Sequence, residues 1–398
     1  MMSPKKMLKE FCHLKFERYT APMYEPSDEE LKPWLLLNLV PGLGPRLTKA
    51  LIEKFITPEA IIGAGVQALS QIPHLGFTTA TKLHDSFKKF NPDQELASMR
   101  AHGVKALLMN RPDYPESLKT IWDPPSVLYL KGEVLPGDGK AVAIVGSRSC
   151  TEYGKKMARR LAKGLSMAGY TIVSGLARGI DGEAHRGALE GGGRTIAVLA
   201  GGLSKIYPPE HAGLALEIIK AGAIVSEATV LQAPLPGMFP ARNRIISGMS
   251  KAIILVEAAE KSGALVTAVH ASEQGRPVLA VPGNVESSAS GGTNSLIRKG
   301  AVLIRDVDDV LQELKDWAPS FTQKLLPGIS PEINTASVPE NLDESETRIW
   351  QALANSECNM DELIRASGQN AGIVAGKLLG MEMKRIIKRL PGSRFAIF

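Results

Sequence analysis

Short apolar runs alternate with amphipathic stretches along residues 141–304. The short runs are rich in β-branched residues and apolar on both faces, which is typical of strands buried in a parallel sheet. Segments with helical spacing separate them. The pattern predicts a Rossmann-like, doubly wound parallel α/β sheet with helices on both faces. The predicted strands are 141–145, 171–173, 195–199, 223–225, 252–256, 278–281 and 301–304, and the predicted helices are 153–168, 181–189, 210–221, 264–274 and 293–298.

Helical spacing also dominates residues 29–105, and a glycine hairpin occurs there twice. Val40-Pro-Gly-Leu-Gly44 and Ile72-Pro-His-Leu-Gly76 each precede a helical run, which resembles paired helix-hairpin-helix or sterile-alpha-motif-like modules. Such a turn can offer backbone amides to a phosphate, assisted by Arg46 or Lys49. A purely structural hairpin is the favoured interpretation, because helix connections commonly use glycine. We expect a small all-α N-terminal domain here, after a flexible extension over residues 1–28.

Residues 106–318 contain the predicted sheet, and their first part is rich in turn residues. Between residues 103 and 135, the apolar run Val127-Leu-Tyr-Leu130 predicts one edge strand. Beyond the sheet, prolines among Ser, Thr and Asn predict a linker over residues 319–342.

Residues 343–398 have the pattern of a winged helix. Three helical segments precede a strand, a Pro391-Gly-Ser turn and a second strand. Positive charge gathers toward the end of this domain, and such a face commonly meets a DNA backbone. A solvated surface or a protein-docking module fits the same charges. The candidate contacts for DNA or a protein are Lys377, Lys384, Arg385, Lys388, Arg389 and Arg394.

Composition narrows these expectations. The 398 residues are 44% hydrophobic, enough for a large core divided over two or three domains. A formal net charge of +6 favours a polyanionic partner, although an ordinary basic enzyme fits it too. Cys12, Cys150 and Cys358 form neither a disulfide framework nor a CxxC pattern, which suits a reducing cytoplasm. The histidines show no HxxxH spacing, and we expect no metal. We also expect no membrane segment and no signal peptide.

Polar or glycine-rich residues follow five of the predicted strands. Ligands of open parallel sheets bind outside the carboxyl ends of the strands, so these residues predict one shared crevice. The run Ser174-Gly-Leu-Ala-Arg-Gly-Ile-Asp181 lets backbone amides approach an anion, although it lacks the P-loop and GxGxxG spacings. Guanidinium groups suit phosphate oxygens. The candidate anion-binding residues are Gly146, Ser147, Arg148, Ser174, Gly175, Ala177, Arg178, Gly179, Gly201, Gly202, Lys205, Arg242, Asn243, Arg244, Ser262 and Thr267.

Alternatives stay open for some of these residues. Arg178 could pair with Asp181 or another acid instead of meeting a phosphate. Arg242 and Arg244 lie two apart on a predicted helix and therefore point to different faces, so that one faces the crevice and the other anchors the fold. Ser262 fits a helix cap as well as a ligand contact.

Four ordered motifs stand at these positions, namely Gly146-Ser-Arg148, Ser174-Gly-Leu-Ala-Arg-Gly-Ile-Asp-Gly-Glu-Ala-His185, Phe239-Pro-Ala-Arg-Asn-Arg-Ile-Ile-Ser-Gly248 and Lys261-Ser-Gly-Ala-Leu-Val-Thr-Ala268. Together they resemble the DNA-processing protein A family, also called DprA or Smf. The resemblance runs from about residue 114 to 304 and is weaker in the hairpin and winged-helix regions.

This resemblance implies a bacterial cytosolic protein that binds single-stranded DNA during natural transformation. Members protect the incoming strand and load the RecA recombinase onto it in the presence of single-strand-binding protein. They form homodimers through the Rossmann-like domain, and they are known neither as enzymes nor for a cofactor. The chain departs from many members at Pro209, where they carry Lys or Arg, and Lys205 is the candidate to supply that charge.

Aromatic residues are only 5% of the chain, which argues against an extended base-stacking platform. We therefore expect phosphate contacts to dominate, with little sequence preference. The alternative is a nucleotide-processing enzyme of the lysine-decarboxylase-like group, which hydrolyses the N-glycosidic bond of nucleoside monophosphates. Its PGGxGTxxE motif is represented only by Ser290-Gly-Gly-Thr-Asn294, without the following acid. Glu227 and Glu257 remain as carboxylates at strand ends.

Overall fold

A computed structural model describes residues 26–73, 75–316, 342–355, 358–384, 386–390 and 394–397. The chain divides into two compact units, residues 1–319 and residues 320–398. The predicted extension over residues 1–28 lies almost wholly outside the described residues, as does the predicted linker over 319–342.

Six helices open the described part of the first unit. The helices that follow the two glycine hairpins begin directly after Gly44 and Gly76, in agreement with the repeated pattern. Gly42 in the first hairpin has a φ of 84°, a conformation that glycine adopts without strain. Leu37, Leu51 and Leu69 are fully buried in the core between the helices. The helices are α1 (Asp28–Leu39), α2 (Pro45–Phe55), α3 (Pro58–Ile62), α4 (Val66–Leu69), α5 (Phe77–Lys89) and α6 (Pro92–Ala101).

The helical region shares a core with the sheet. Trp34 and Leu35 of α1 pack in the same apolar cluster as Leu128 of the sheet. The side chain of Glu95 on α6 accepts a hydrogen bond of 2.7 Å from the Val230 amide. The N-terminal helices therefore form part of the first compact unit, although their hairpins keep a core of their own.

A nine-stranded sheet forms the centre of this unit, in the order β1-β2-β6-β5-β4-β3-β7-β8-β9. In this sheet order, the strands from β6 through β3 to β9 are parallel to one another. At the other end of the sheet, β2 pairs antiparallel with both β6 and β1. The strands are β1 (Lys105–Leu108), β2 (Val127–Gly132), β3 (Ala141–Val145), β4 (Thr171–Ser174), β5 (Thr195–Val198), β6 (Ala223–Ser226), β7 (Ala252–Leu255), β8 (Val278–Ala280) and β9 (Val302–Leu303).

The predicted edge strand at 127–130 lies inside the sheet. Strand β1 occupies the edge and pairs with β2. Its four residues are separated from the end of α6 by only three residues and carry three apolar side chains in a row, so the sequence pattern did not separate them from the preceding helical spacing. The protein thus has an α/β fold whose nine-stranded sheet is mixed but mostly parallel.

Helices cover both faces of the sheet, as the pattern predicted. Val142 and Ile144 of β3 face one helical layer, and Ala143 and Val145 face the other. The first layer contains α8, α9 and α14, and the opposite layer contains α11 and α12. The helices after β1 are α7 (Glu116–Lys119), α8 (Glu152–Met167), α9 (Ile180–Glu190), α10 (Ala212–Ala221), α11 (Met238–Gly248), α12 (Ala264–Glu273), α13 (Gly291–Arg298) and α14 (Val307–Asp316).

The order in which the chain adds strands to the sheet reverses after β6, when β7 returns to the other side of β3. From β3, strands β4, β5 and β6 follow one another toward one edge, and β7, β8 and β9 toward the other. The loops at the carboxyl ends of β3 and β7 consequently diverge and leave a crevice, the usual ligand site of such sheets. This topology places the candidate residues after β3, β4 and β5 at the same edge.

The second unit has the winged-helix pattern predicted from the sequence. Its sheet has the order β10-β12-β11, and Ile349, Leu363 and Phe395 are buried in its core. The side chains of Asn359 and Glu362 form a reciprocal capping box at the start of α16. The elements are α15 (Glu344–Asn355), β10 (Cys358–Asn359), α16 (Met360–Ser367), α17 (Ala371–Met383), β11 (Ile387–Leu390) and β12 (Arg394–Ile397).

Candidate nucleic-acid interface

Two adjoining cavities form one crevice at the carboxyl ends of β3, β4 and β5, beside the start of α11. Arg148, Ala177, Phe239 and Arg242 line both cavities. One cavity continues to Gly175, Arg178, Gly201, Gly202, Lys205 and Tyr207, and the other to Gly146, Ser147, Asn243, Ser262 and Thr267. The structure thus brings together thirteen of the sixteen candidate residues; Ser174, Gly179 and Arg244 do not line it.

Two exposed cations line the crevice without a salt bridge to a described residue, although the charge of Arg148 acts on the buried Asp181 carboxylate. Arg148 follows β3 and Lys205 follows β5, and neither forms an ion pair with any described residue. The Arg148 guanidinium carbon lies 4.9 Å from the centroid of the Phe239 ring, in cation–π geometry. This contact orients the guanidinium while leaving its donors available to a ligand.

An aromatic pair stands beside these cations. The rings of Tyr207 and Phe239 meet edge to face with centroids 6.0 Å apart, and Tyr207 is 44% exposed. The scarcity of aromatic residues did not suggest this pair, since it depends on the fold bringing the loop after β5 to the start of α11. Phe239 belongs to a recognised motif, and Tyr207 precedes the Pro208-Pro209 turn; these were the available signals.

Arg178 lines the crevice but is already paired. Its Nε donates to the Glu210 carboxylate, and both side chains are about half exposed. The hydrogen bond raises the pKa of Arg178 and lowers the pKa of Glu210. The acid that engages Arg178 is therefore Glu210, and Asp181 serves elsewhere. A phosphate would have to share this guanidinium with Glu210.

Arg242 forms part of the crevice wall through a buried guanidinium. Its Nη1 donates to the carbonyl oxygens of Gly175, at 2.7 Å, and Val198. Burial is the main cause that lowers the pKa of Arg242 to about 10, and the nearby positive charge of Arg148 acts in the same direction. Most of the group is committed to holding two strand ends together, so its role is chiefly to shape the site.

Arg244 anchors the fold outside the crevice. Its guanidinium donates to both Glu227 oxygens, at 3.1 and 2.6 Å, and its Nε lies 3.3 Å from Asp123. The side chain is only 6% exposed. The two arginines thus lie on different faces of the helix, as their spacing predicted. Because Arg244 lies outside the crevice, it is no longer a candidate ligand contact.

The glycine turn after β4 is held by its own side chains. Ser174 is buried and donates a hydrogen bond of 2.6 Å to the Ile144 carbonyl, so its hydroxyl is not offered to a ligand. The Gly175 amide donates to Asp181 at 3.1 Å. Desolvation raises the pKa of Asp181 despite the opposing charge of Arg242. The anion that this turn receives in the structure is thus the Asp181 carboxylate.

Several candidate glycines serve close packing. A Cβ on Gly179, whose φ is 73°, would lie 2.3 Å from the Ser147 carbonyl oxygen. A Cβ on Gly175 would lie 2.5 Å from the Arg242 guanidinium, and one on Gly202 would lie 2.1 Å from the Thr229 carbonyl oxygen. Gly179 thus lets the loops after β3 and β4 approach each other, and Gly175 makes room for Arg242 of α11. Gly202 lets the loop after β5 approach the one after β6.

Where α11 meets the start of α12, polar side chains that line the crevice form hydrogen bonds with backbone groups. The Ser262 hydroxyl accepts a hydrogen bond of 3.3 Å from the Ala264 amide at the start of α12, and Asn243 donates to the Gly263 carbonyl at 3.3 Å. Thr267 is buried one turn further along α12. The N-cap residue of α12 is Gly263, so the Ser262 contact is a local turn interaction just before the helix and not the N-cap that its position suggested.

The carboxylates considered for catalysis are engaged structurally. Glu227 holds Arg244, and Glu257 accepts hydrogen bonds of 2.8 and 2.5 Å from the amide and hydroxyl of Thr151. His185 Nδ1 lies 2.7 Å from the Thr195 hydroxyl, and burial lowers the pKa of His185 to about 3. Throughout the described ranges, no group of three or more His, Cys, Asp or Glu is placed to hold a metal ion.

The basic residues of the winged helix are partly neutralised. Lys377 pairs with Asp343, and the Lys384 ammonium lies 3.8 Å from Glu346. Lys388, Arg389 and Arg394 lie on the β11–β12 hairpin, whereas Arg385 falls outside the described residues. None of the helices in the described ranges has the length and apolar character needed to cross a bilayer.

Comparisons with known proteins agree with the motifs. Family models match for DNA recombination-mediator protein A at residues 105–315, for the DprA winged helix domain at 334–393 and for a SAM-like helix-hairpin-helix tandem at 35–89. Protein Smf of Synechocystis is 34% identical over 394 residues, covering 93% of this chain and 99% of that protein.

Two further relatives support the same assignment. DNA processing protein DprA of Bacillus subtilis is 41% identical over 247 residues, covering 61% of this chain and 83% of that protein. The crystal structure of DprA from Streptococcus pneumoniae matches with a TM-score of 0.64 at 31% identity, covering 73% of this chain and 99% of that chain. Because one family model spans more than half of the chain and one relative aligns over nearly all of it, the protein belongs to the DNA recombination-mediator protein A (DprA/Smf) family.

Proposed function

We propose that the chain binds single-stranded DNA in the crevice, chiefly through phosphate contacts from Arg148 and Lys205. The observation that carries the proposal is the presence of these two exposed cations, without a salt bridge to any described residue, in one cavity. A polyanion with closely spaced charges suits both cations at once. Arg178 adds a third contact when it exchanges Glu210 for a phosphate.

The aromatic pair supports a single strand over a duplex. Tyr207 and Phe239 line the same cavity as the two cations, so a base of a strand held by its phosphates has an aromatic face within reach. Bases of a duplex are stacked on one another and paired, and they cannot turn toward such a ring without unstacking. Two rings provide local stacking, so phosphate contacts still dominate and sequence preference stays small.

The experiment that tests this proposal is a fluorescence anisotropy titration with equal lengths of single- and double-stranded DNA. We expect tighter binding of the single strand, and an affinity decrease of about tenfold for Arg148→Ala, the range of a hydrogen bond to a charged group. Arg298→Ala is the matched control, because Arg298 is an exposed arginine on α13 outside the crevice. An Arg148→Ala protein that binds the single strand as tightly as the control would refute the proposal.

We further propose that the strand is one that enters the cytoplasm during natural transformation. The protein would protect it and load RecA onto it in the presence of single-strand-binding protein, as a homodimer through the Rossmann-like domain. Family membership supports these steps. The test is RecA filament formation on strands covered by single-strand-binding protein, which should require an intact crevice and fail with Arg148→Ala.

We propose binding without turnover. Glu227 and Glu257, the carboxylates at the strand ends, are held by Arg244 and Thr151, which supports a structural role over general acid or base catalysis. Incubation with nucleoside monophosphates should release no free base. Release that disappears in Glu227→Gln would favour the enzymatic alternative.

A further inference from the structure

Trp122 is an exposed aromatic side chain that the crevice does not use. It is 76% exposed, although a tryptophan normally buries much of its large apolar surface. Its backbone is firmly placed, because Ile121 before it and Pro124 and Pro125 after it are buried. The Tyr114 hydroxyl donates a hydrogen bond of 2.8 Å to the Pro125 carbonyl. The indole is therefore presented on a rigid loop.

Cations from the helix after the first glycine hairpin flank this loop. The Lys49 ammonium donates to the Ile121 carbonyl at 3.3 Å, and the Arg46 Nε lies 3.7 Å from Asp123. These contacts are to the residues directly before and after Trp122. Arg46 is 73% exposed, and Lys119 is a further exposed cation three residues before Trp122. We call Trp122, Arg46, Lys49 and Lys119 the Trp122 patch.

Charge distinguishes the patch from an ordinary apolar surface. Asp123 is shared between Arg46 and the buried Arg244, so its charge is already offset. Glu116 on α7 and Glu53, one turn after Lys49 on α2, are further acids in this region, and both are exposed. An aromatic face between basic side chains is the combination that binds single-stranded nucleic acid, through stacking on the ring and phosphate contacts beside it.

Helix α11 connects the patch to the crevice. Phe239, near its start, lines the crevice, and Gly248, at its end, packs against Ile121. A Cβ on Gly248 would lie 2.9 Å from the Ile121 side chain, so this end of the helix is in close contact with the Trp122 loop. The helix rise places these two residues roughly 14 Å apart along the axis. A strand of several nucleotides can therefore reach from one region to the other.

We propose that the Trp122 patch is a second contact for single-stranded DNA, at which a base of the strand leaving the crevice stacks on the indole. Arg46 and Lys49 contact its neighbouring phosphates. This inference rests on the proposed binding of single-stranded DNA in the crevice. It assigns to the glycine hairpin a role in extending the binding site along the strand.

Strand length separates the two regions experimentally. A labelled thymidine dinucleotide is too short to leave the crevice and reach the Trp122 patch, whereas an oligonucleotide of about 30 nucleotides reaches both regions. We expect Trp122→Ala to weaken binding of the long strand by about five- to tenfold, with less than a twofold effect on the short strand. Trp122→Phe should retain most of the affinity for the long strand. Met167→Ala, at a 70% exposed apolar residue of α8, is the control and should change neither affinity.

Tryptophan fluorescence gives a second readout. The long strand should quench wild-type emission more strongly than that of Trp122→Phe, and the short strand should quench both equally. If Trp122→Ala binds both strands like the wild type while Arg148→Ala weakens both, the inference is wrong and the proposed function stands. If Arg148→Ala changes neither affinity, the proposed function itself fails.

Discussion

At the scale of single residues, the amino-acid types indicated the chemistry of the crevice, but they did not indicate which partner each side chain contacts. Arg148 and Lys205 occupy the positions that the strand-end argument gave them. The Arg178–Glu210 and Arg242–Gly175 hydrogen bonds join residues 32 and 67 positions apart, and such pairings depend on how separate loops pack. Sequence reasoning could therefore nominate these arginines, and it could not separate the exposed ones from those held by the fold.

His185 illustrates a residue whose environment has a measurable consequence. Burial lowers its pKa from 6.5 to about 3, so between these values the unfolded chain binds a proton that the folded chain does not. Folding stability must then fall as the pH falls through this window. We expect His185→Gln to reduce the slope of unfolding free energy against pH by about 1 kcal/mol per unit between about pH 5 and 6. Urea unfolding at several pH values measures the slope, and an unchanged slope would contradict a buried neutral imidazole.

At the scale of elements, apolar runs on both faces predicted the parallel strands closely. Strand β3 matches its predicted bounds, and β4 and β5 differ from theirs by one residue. The pattern failed at β1, because a strand of four residues separated from a helix by one short turn does not establish a period. It also placed β2 at the sheet edge, since strand order depends on pairing between distant segments.

Helix α8 allows a test of this layered arrangement. Leu161 is fully buried against the sheet, whereas Lys163 on the same helix is exposed. Leu161→Ala should lower the free energy of unfolding by about 2–5 kcal/mol, because it leaves a cavity in a packed layer. Lys163→Ala should change it by no more than about 0.5 kcal/mol. Equal effects in denaturant unfolding would show that α8 does not bury this face.

At the scale of the whole molecule, two compact units with separate cores divide the binding surfaces. The crevice and the Trp122 patch both belong to the first unit. The basic hairpin of the winged helix belongs to the second, where Lys377 and Lys384 face acids. The proline-rich stretch predicted a boundary between two domains, and the residues after the strands predicted one shared crevice. The sequence could not show which of these loops line the crevice, because that depends on the strand order.

Truncation of the chain after residue 316 tests the division. The first unit retains every residue of the crevice. The shortened protein should therefore bind a short single strand with an affinity within about twofold of that of the full chain. This change is smaller than the one expected from removing one charged hydrogen bond. Gel shifts with single- and double-stranded DNA of equal length provide the comparison. A large decrease of single-strand affinity in the shortened protein would assign the primary site to the winged helix.

The salt dependence of single-strand binding tests the central claim most directly. Removing one cation that neutralises a phosphate should reduce the slope of log affinity against log salt by about 0.7. We predict this reduction for Arg148→Ala and for Lys205→Ala, measured by anisotropy across a salt series, and an unchanged slope for the exposed control Lys163→Ala. Identical slopes for the wild type and both crevice variants would contradict phosphate binding in the crevice.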